Sequence, residues 1–170
     1  MVDADEVVAG ASALVFAELL RGRLVKTIPV AQPAAGAEFT QAVPQGVVWI
    51  VQSVAALLTT SATAINRAPT LVISDSAAVI ARADLPNVVP ATQVAPIAWA
   101  RGMARNASTD IQAALTGALP ELVLPAGTTL ASLTRNFQVG DQWSAVQFSV
   151  VELQANLILA QRDWIAKNYR

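Results

Sequence analysis

The side chains of this chain that could do chemistry are mainly its carboxylates, because the sequence contains neither cysteine nor histidine. The absence of histidine removes the usual general base and the commonest metal ligand. The absence of cysteine excludes thiolate catalysis, disulfides and cysteine-bound zinc or iron–sulfur sites. Asp75 and Asp84 lie in predicted loops, but nothing else in the sequence selects them as the facing acids of a glycosidase. We interpret both as solvated turn residues and predict no catalytic residues.

Motifs for other kinds of site are also missing from the sequence. No G-x-G occurs and no glycine precedes a Lys-Ser or Lys-Thr pair, so no phosphate-binding loop is predicted. No run of acids has the spacing of a calcium loop. Asn106-Ala107-Ser108 matches a glycosylation acceptor, but the acidic N-terminus does not resemble a secretory signal, and we interpret the match as chance. The sequence therefore predicts no metal and no cofactor.

The large aromatic and basic side chains have more than one interpretation. Trp49, Trp99 and Trp143 fall within strand patterns, which favours a core or subunit interface over a sugar-stacking platform. The arginines outside the two ends of the chain could form bidentate pairs with carboxylates, or they could be solvated or lie at subunit contacts. These arginines are Arg67, Arg82, Arg101, Arg105 and Arg135.

The composition is unusually poor in charge. Hydrophobic residues make up 54% of the chain and charged residues 14%, with a net charge of −1, whereas ordinary domains carry about 25% charged residues. Without a basic field, nucleic-acid binding is not expected. Residues 39–66 carry no charge, but Gln, Ser and Thr interrupt their apolar part, and a spanning helix needs about 20 mostly apolar residues. We predict a long buried strand here, and no membrane partner.

Strand patterns recur along the middle of the chain, separated by proline and glycine turns. In the last of them, Val146, Phe148 and Val150 alternate onto one face, and Trp143 falls on the other. This recurrence predicts an all-β fold over residues 37–153, an antiparallel β-sandwich of the jelly-roll type. The predicted strands are 47–60, 70–74, 79–80, 92–104, 109–115, 121–124, 128–139 and 143–153.

The two ends of the chain have a different pattern. Residues 1–30 form an N-terminal segment and residues 154–170 a C-terminal tail, and helical spacing of apolar residues favours helices in both, although extended arms are the alternative. Each segment could pack on its own domain or reach a partner. The candidate partner-binding residues are Leu14, Phe16, Leu19, Leu157, Ile158, Trp164, Ile165 and Tyr169.

Several short motifs occur in a recognisable order. A Pro44-Gln45-Gly46 turn opens the long strand, Asn66-Arg67 follows it, and Pro125-Ala126-Gly127 precedes Gly140-Asp141-Gln142-Trp143-Ser144. Over about residues 40–153, this order resembles that of jelly-roll structural proteins of tailed bacteriophages. The resemblance implies a virion component, either a capsid cement or decoration protein or a related head-fibre, neck or tail protein. It carries no catalytic residues to transfer.

The expected function is therefore that of a non-enzymatic cement or decoration protein in the virion. Its expected partners are the major capsid protein and other copies of itself, in a homotrimer. One alternative is a carbohydrate- or receptor-binding fibre or tail module, which predicts exposed aromatic side chains on one rim or face. Another is a neck or tail structural protein. A carboxylate-dependent hydrolase, the enzymatic alternative, predicts two facing acids in a cleft.

Overall fold

The computed structural model describes residues 25–76, 78–103 and 114–156. These ranges contain ten strands and a short helical turn at residues 155–156. The strands are β1 (Val25–Pro29), β2 (Thr40–Ala42), β3 (Val47–Thr59), β4 (Ala68–Asp75), β5 (Ala78–Asp84), β6 (Val94–Arg101), β7 (Leu115–Leu119), β8 (Val123–Leu124), β9 (Thr129–Arg135) and β10 (Gln142–Gln154).

The strands form two sheets that pack as a sandwich. The larger sheet has the order β1-β10-β3-β6-β7, with β8 also paired to β3, and the smaller sheet has the order β2-β9-β4-β5. The described strand pairs are antiparallel, apart from β6 and β7, which run parallel. The predicted all-β, antiparallel sandwich is thereby confirmed.

Strand β3 accounts for the uncharged run in the sequence. Its inward positions alternate along the strand and include Trp49, Val51, Val54 and Leu58, all buried. A bulge against β10 places Gln52 and Ser53 as two successive half-buried residues and keeps the later apolar residues facing the core. Within the described ranges, no helix has the length and apolar character needed to cross a membrane.

The structure of strand β10 shows that one prediction about which side chains share a face is wrong. The simple alternation placed Trp143 opposite Val146, Phe148 and Val150, yet all four side chains are buried in the core. The register of β10 against β3 shifts between Ser144 and Gln147, where Ala145 has a φ of 49°. The extra residue of this bulge reverses which face the later side chains occupy.

Strand β1 corrects the predicted N-terminal boundary. Residues 25–29 were expected to belong to a helical segment, but they pair with β10, so that Ile28 lies opposite Phe148 and packs against the core. The sandwich therefore includes residue 25, whereas the prediction began it at residue 37. Strand β10 also includes Gln154, one residue beyond the predicted end. The remaining predictions for residues 1–24 and 157–170 lie outside the described residues, as do all eight candidate partner-binding residues.

Strand β7 lies further along the chain than expected. The predicted strand covered residues 109–115, and of these positions only Leu115 falls in Leu115–Leu119, while residues 109–113 lie outside the described ranges. The sequence does not predict this strand because it contains Gly117, and glycine has a low strand propensity. The structure explains the glycine, since a Cβ there would lie 2.5 Å from Cδ1 of Trp99.

Candidate functional site

The two acids singled out in the sequence stand at opposite ends of the β4–β5 hairpin. Asp75 lies opposite Ala78 beside the turn and accepts a hydrogen bond from the Ser76 amide at 2.7 Å. Asp84 ends β5 opposite Thr70, whose hydroxyl donates to it at 2.7 Å. Asp75 lies five residues beyond Thr70 along β4, so the two acids are about 17 Å apart, well beyond the roughly 5–10 Å that a glycosidase requires.

Arg67 and Asp141 form an ion pair that is fully buried between the ends of the two sheets. The guanidinium donates to both carboxylate oxygens of Asp141 at 2.9 Å, one bond from Nε and one from Nη2. It also donates to the Ser61 hydroxyl and to the carbonyl of Thr63, each at 2.8 Å, and to the carbonyl of Ile65. All three nitrogens of the guanidinium therefore donate hydrogen bonds. A buried ion pair is tolerated when its polar groups are hydrogen bonded in this way.

The carboxylate of Asp141 fixes the loops around it as well. It accepts hydrogen bonds from the amides of Ser61 at 2.7 Å and Gln138 at 2.8 Å. Burial acts to raise the pKa of Asp141, but the bonds from Arg67 and these two amides outweigh it, and the pKa lies below its ordinary value of 3.8. The Asn66-Arg67 and Gly140-Asp141 motifs thus meet in one cluster. The charged groups of Arg67 and Asp141 are hydrogen bonded to each other and to the surrounding loops, which is a structural role.

The buried tryptophans are core residues, and each has a partner for its indole N–H. Trp49 donates to Glu152 at 2.9 Å, Trp99 to the carbonyl of Ala83 at 2.8 Å, and Trp143 to Glu38 at 2.8 Å. All three have 0% exposure. Within the described ranges, none of these rings is available as the exposed sugar-stacking platform that the carbohydrate-binding alternative predicts.

Glu152 links the stability of the sandwich to pH. The bond from the Trp49 indole lowers the pKa of Glu152, burial raises it by less, and Lys26 at 3.1 Å lowers it further, so that the pKa lies below its ordinary value of 4.5. A group with a lowered folded-state pKa contributes stability above its unfolded pKa and loses it as the pH falls. This contribution is therefore complete at neutral pH and is lost below about pH 4.5.

Glu152→Gln should accordingly lower the free energy of unfolding by about 1 kcal/mol at pH 7, and the difference from the wild type should shrink progressively as the pH falls below about 4.5. Urea titrations at a series of pH values measure this. Glu121→Gln is the matched control, because Glu121 pairs with Arg101 through a side chain that is 76% exposed. A Glu152→Gln deficit that persisted unchanged at low pH would show that the carboxylate charge is not its cause.

The outward-facing side of the larger sheet differs from an ordinary protein surface. We call it the outer face and define it by strand positions that alternate with the core positions and pair with one another across β1, β10, β3, β6 and β8. None of these positions carries a charge, whereas about 25% of the residues of an ordinary soluble domain do. The outer face consists of Val25, Thr27, Pro29, Val48, Ile50, Ser53, Ala55, Leu57, Thr59, Val94, Pro96, Ala98, Ala100, Val123, Gln142, Ser144, Gln147, Ser149, Val151 and Leu153.

Large apolar side chains concentrate at one end of the outer face. Val25, Val151, Ile50 and Val123 follow one another across four strands. Val25 and Val123 are exposed, whereas Ile50 is half-buried and Val151 is buried. Contiguous apolar surface that lacks charge is typical of protein interaction sites. The outer face is therefore the candidate functional surface of the described part of the chain.

The outward side of the smaller sheet carries charges. Ala68 and Thr70 on β4 form the floor of an open groove of about 510 Å³, and Arg82, Asp84 and Arg135 stand around it. Within the described residues, neither Arg82 nor Arg135 has an ion-pair partner, which agrees with the solvated interpretation of these two arginines. Of the other arginines considered in the sequence, Arg67 and Arg101 form ion pairs, and Arg105 lies outside the described ranges.

Within the described ranges, no three of the acidic side chains lie close enough together to hold a metal ion. Comparisons of the chain with protein-family models, with curated proteins and with solved structures found no match.

Proposed function

We propose that this chain is a non-enzymatic structural protein of a tailed-phage virion, a cement or decoration protein that stabilises the head shell as a homotrimer bound to the major capsid protein. The observation that carries the proposal is the uncharged outer face of the larger sheet. A protein that acts by packing against others needs apolar surface that is buried on assembly. The order of turn motifs over residues 40–153 supports the same function.

The proposed mechanism is adhesion through buried area. Apolar surface removed from water contributes about 25 cal/mol per Å² before the costs of association are subtracted. A subunit that is present in many copies also acts multivalently, since each bound copy raises the effective concentration of its other contacts. Together these terms would hold neighbouring capsid proteins in place against internal pressure.

Three observations favour this function over the hydrolase and carbohydrate-binding alternatives. The separation of Asp75 and Asp84 does not suit a hydrolase, and the buried pair of Arg67 and Asp141 is already occupied by structural bonds. The burial of Trp49, Trp99 and Trp143 does not favour a sugar-binding platform on the sandwich.

We assign contact with the major capsid protein to the two ends of the chain, through the candidate residues Leu14, Phe16, Leu19, Leu157, Ile158, Trp164, Ile165 and Tyr169. Deletion of residues 1–24 or of residues 157–170 should reduce the occupancy of capsids by at least about tenfold, because it removes the apolar contacts while keeping β1 and β10. Occupancy is measured by quantitative mass spectrometry of particles incubated with each protein and then washed.

The deletions are placed outside β1 and β10 because removal of either strand would disrupt the larger sheet. Far-UV circular dichroism with an unchanged unfolding midpoint is the control for an intact sandwich. Normal capsid occupancy by both truncated proteins would contradict the assignment of these contacts.

A further inference from the structure

We propose that the groove on the outward side of the smaller sheet binds residues 3–6 of a neighbouring copy of this chain. This groove of about 510 Å³ is lined by Arg82 and Arg135. The segment that binds is Asp3-Ala4-Asp5-Glu6, which lies outside the described ranges. That copies lie side by side rests on the proposed function, and the groove adds a contact between them.

The groove collects the unpaired positive charge of the described residues. Arg82 and Arg135 both line it, and neither has an ion-pair partner within the described ranges. The other basic residues of these ranges, Lys26, Arg67 and Arg101, each pair with a carboxylate. An unpaired guanidinium keeps its five N–H donors for a ligand, and its planar shape matches a carboxylate. The groove therefore suits a ligand that carries at least two carboxylates.

The strand register sets the spacing of the two arginines. Arg82 on β5 lies opposite Val72 of β4. Arg135 on β9 lies opposite Ala68, four residues earlier in β4. Four residues along β4 and two strand spacings put the Cα atoms of the arginines about 16 Å apart. An extended segment over residues 3–6 is about 10 Å long, and the side chains of the arginines and the acids can bridge the difference.

The sequence contains one acidic cluster that fits this groove. Three of the 12 acidic residues fall within residues 3–6, and elsewhere no two acids are closer than nine positions apart. No basic residue occurs before Arg21, so the charge of the cluster is not neutralised nearby. The acids of the described ranges, by contrast, each have a hydrogen-bond or ion-pair partner already. Charge complementarity therefore selects residues 3–6 as the segment that binds.

The position of the groove favours a neighbouring copy over the same chain as the source of the segment. Val25 lies opposite Val151 of β10, ten residues beyond Asp141, whose partner Arg67 comes just before β4. Val25 is therefore at one end of the sandwich, and the groove is near the other end, on the outward side of the other sheet. The helix that apolar spacing predicts over residues 7–24 would be straight and about 27 Å long. Such a helix could cross to an adjacent copy but could not bend round its own sandwich.

Asp84 is the acid that lines the groove, and it tunes the strength of the contact. Its carboxylate accepts a hydrogen bond from the Thr70 hydroxyl at 2.7 Å. Like charges that meet in a contact oppose binding, so Asp84 lowers the affinity for an acidic segment. The two arginines outnumber it, and the groove remains positive.

Photo-cross-linking of the full-length protein tests this contact. Ala4 is replaced by benzoylphenylalanine, and a mixture of isotopically light and heavy protein is irradiated at low ionic strength, where charge contacts are least screened. Mass spectrometry then identifies the linked peptides. We expect links from position 4 to the groove residues Leu133 and Leu85, with light peptides joined to heavy ones.

Charge variants show whether the arginines hold the segment. Arg82→Gln combined with Arg135→Gln should lower the yield of this link by at least about tenfold, because both partners of the acids are lost. Lys26→Gln combined with Arg101→Gln is the matched control, since it removes the same charge from residues that are paired elsewhere, and it should keep the yield. Asp84→Asn should raise the yield.

Equal yields from the groove variant and its control would overturn the proposal, as would a wild type that gives no link to the groove. Links that join only light to light and heavy to heavy would place the segment on its own chain and overturn the choice of a neighbouring copy. A link between copies of a protein that is absent from virions would refute the proposed function and leave this contact standing. A protein that fills the head shell without forming the link would do the reverse.

Discussion

Arg67→Met should lower the free energy of unfolding by about 3–5 kcal/mol, the range found when one partner of a buried ion pair is removed. Methionine fills much of the space of the arginine stem, so lost packing contributes little. The main cost arises at Asp141, which keeps two amide donors but loses both bonds from the guanidinium while its carboxylate stays fully buried.

The position of Arg67 in the fold makes this cost global. Its backbone forms a two-way bridge with Val89, its side chain holds the loop after β3, and Asp141 holds the turn before β10. The pair therefore joins loops from distant parts of the chain, 74 residues apart in sequence. We therefore expect the loss of this ion pair to destabilise the whole domain, which should still unfold in one cooperative transition.

Equilibrium urea unfolding followed by tryptophan fluorescence measures the effect. Arg82→Met is the matched control, because Arg82 is exposed and has no ion-pair partner within the described residues, so that a change within about 0.5 kcal/mol is expected. Equal effects of the two substitutions would contradict the structural role assigned to the buried pair.

Gly117→Val should lower the free energy of unfolding by about 3 kcal/mol through overpacking. A Cβ at Gly117 would lie 2.5 Å from Cδ1 of Trp99, 3.0 Å from its Nε1 and 3.2 Å from a methyl group of Leu85. The indole cannot move away cheaply, because it is fully buried and its N–H donates to the carbonyl of Ala83 in the opposite sheet at 2.8 Å.

The same substitution should change the fluorescence of the folded protein, since the ring of Trp99 must shift or lose its hydrogen bond. Ala118→Val is the matched control, because it adds methyl groups to the next residue of β7 at an exposed position. An unfolding midpoint for Gly117→Val equal to that of this control would show that the space beside Trp99 is larger than the structure indicates.

Much of the sandwich was predictable because strand alternation is a local signal. The prediction for β3 agrees with Val47–Thr59 to within one residue, and the turn at Asp75-Ser76 separates β4 and β5 as expected. The local signal failed where one residue altered the alternation. The bulge at Ala145 brings Trp143 into the same core as Phe148, and its effect on the strand is set by pairing with β3.

The buried ion pair was not predictable as a pair. Arg67 and Asp141 each belonged to a turn motif, but only the meeting of the sheet ends brings them together. The start of the sandwich at Val25 was missed for a related reason. Its residues alternate too briefly to indicate a strand, and pairing with the free edge of β10 decides their structure.

The uncharged run of residues 39–66 is the strongest sequence signal for the outer face, although by itself it predicts only a strand buried within the domain. In the structure, the inward positions of β3 fill the core, while Val48, Ile50, Ala55 and Leu57 face away from it. Both sides of the strand are uncharged, and only one side is covered by the described residues of the domain. The low charge content of the chain therefore has two sources, a core and a candidate assembly surface.

The central claim is that this chain is a stoichiometric part of a phage virion. Quantitative mass spectrometry of purified, intact particles, with the copy ratio measured against the major capsid protein, tests it most directly. A cement protein that binds throughout the head shell should be present at on the order of hundreds of copies per particle. About a dozen copies would place it in the neck or tail, and its absence from intact particles would contradict the claim.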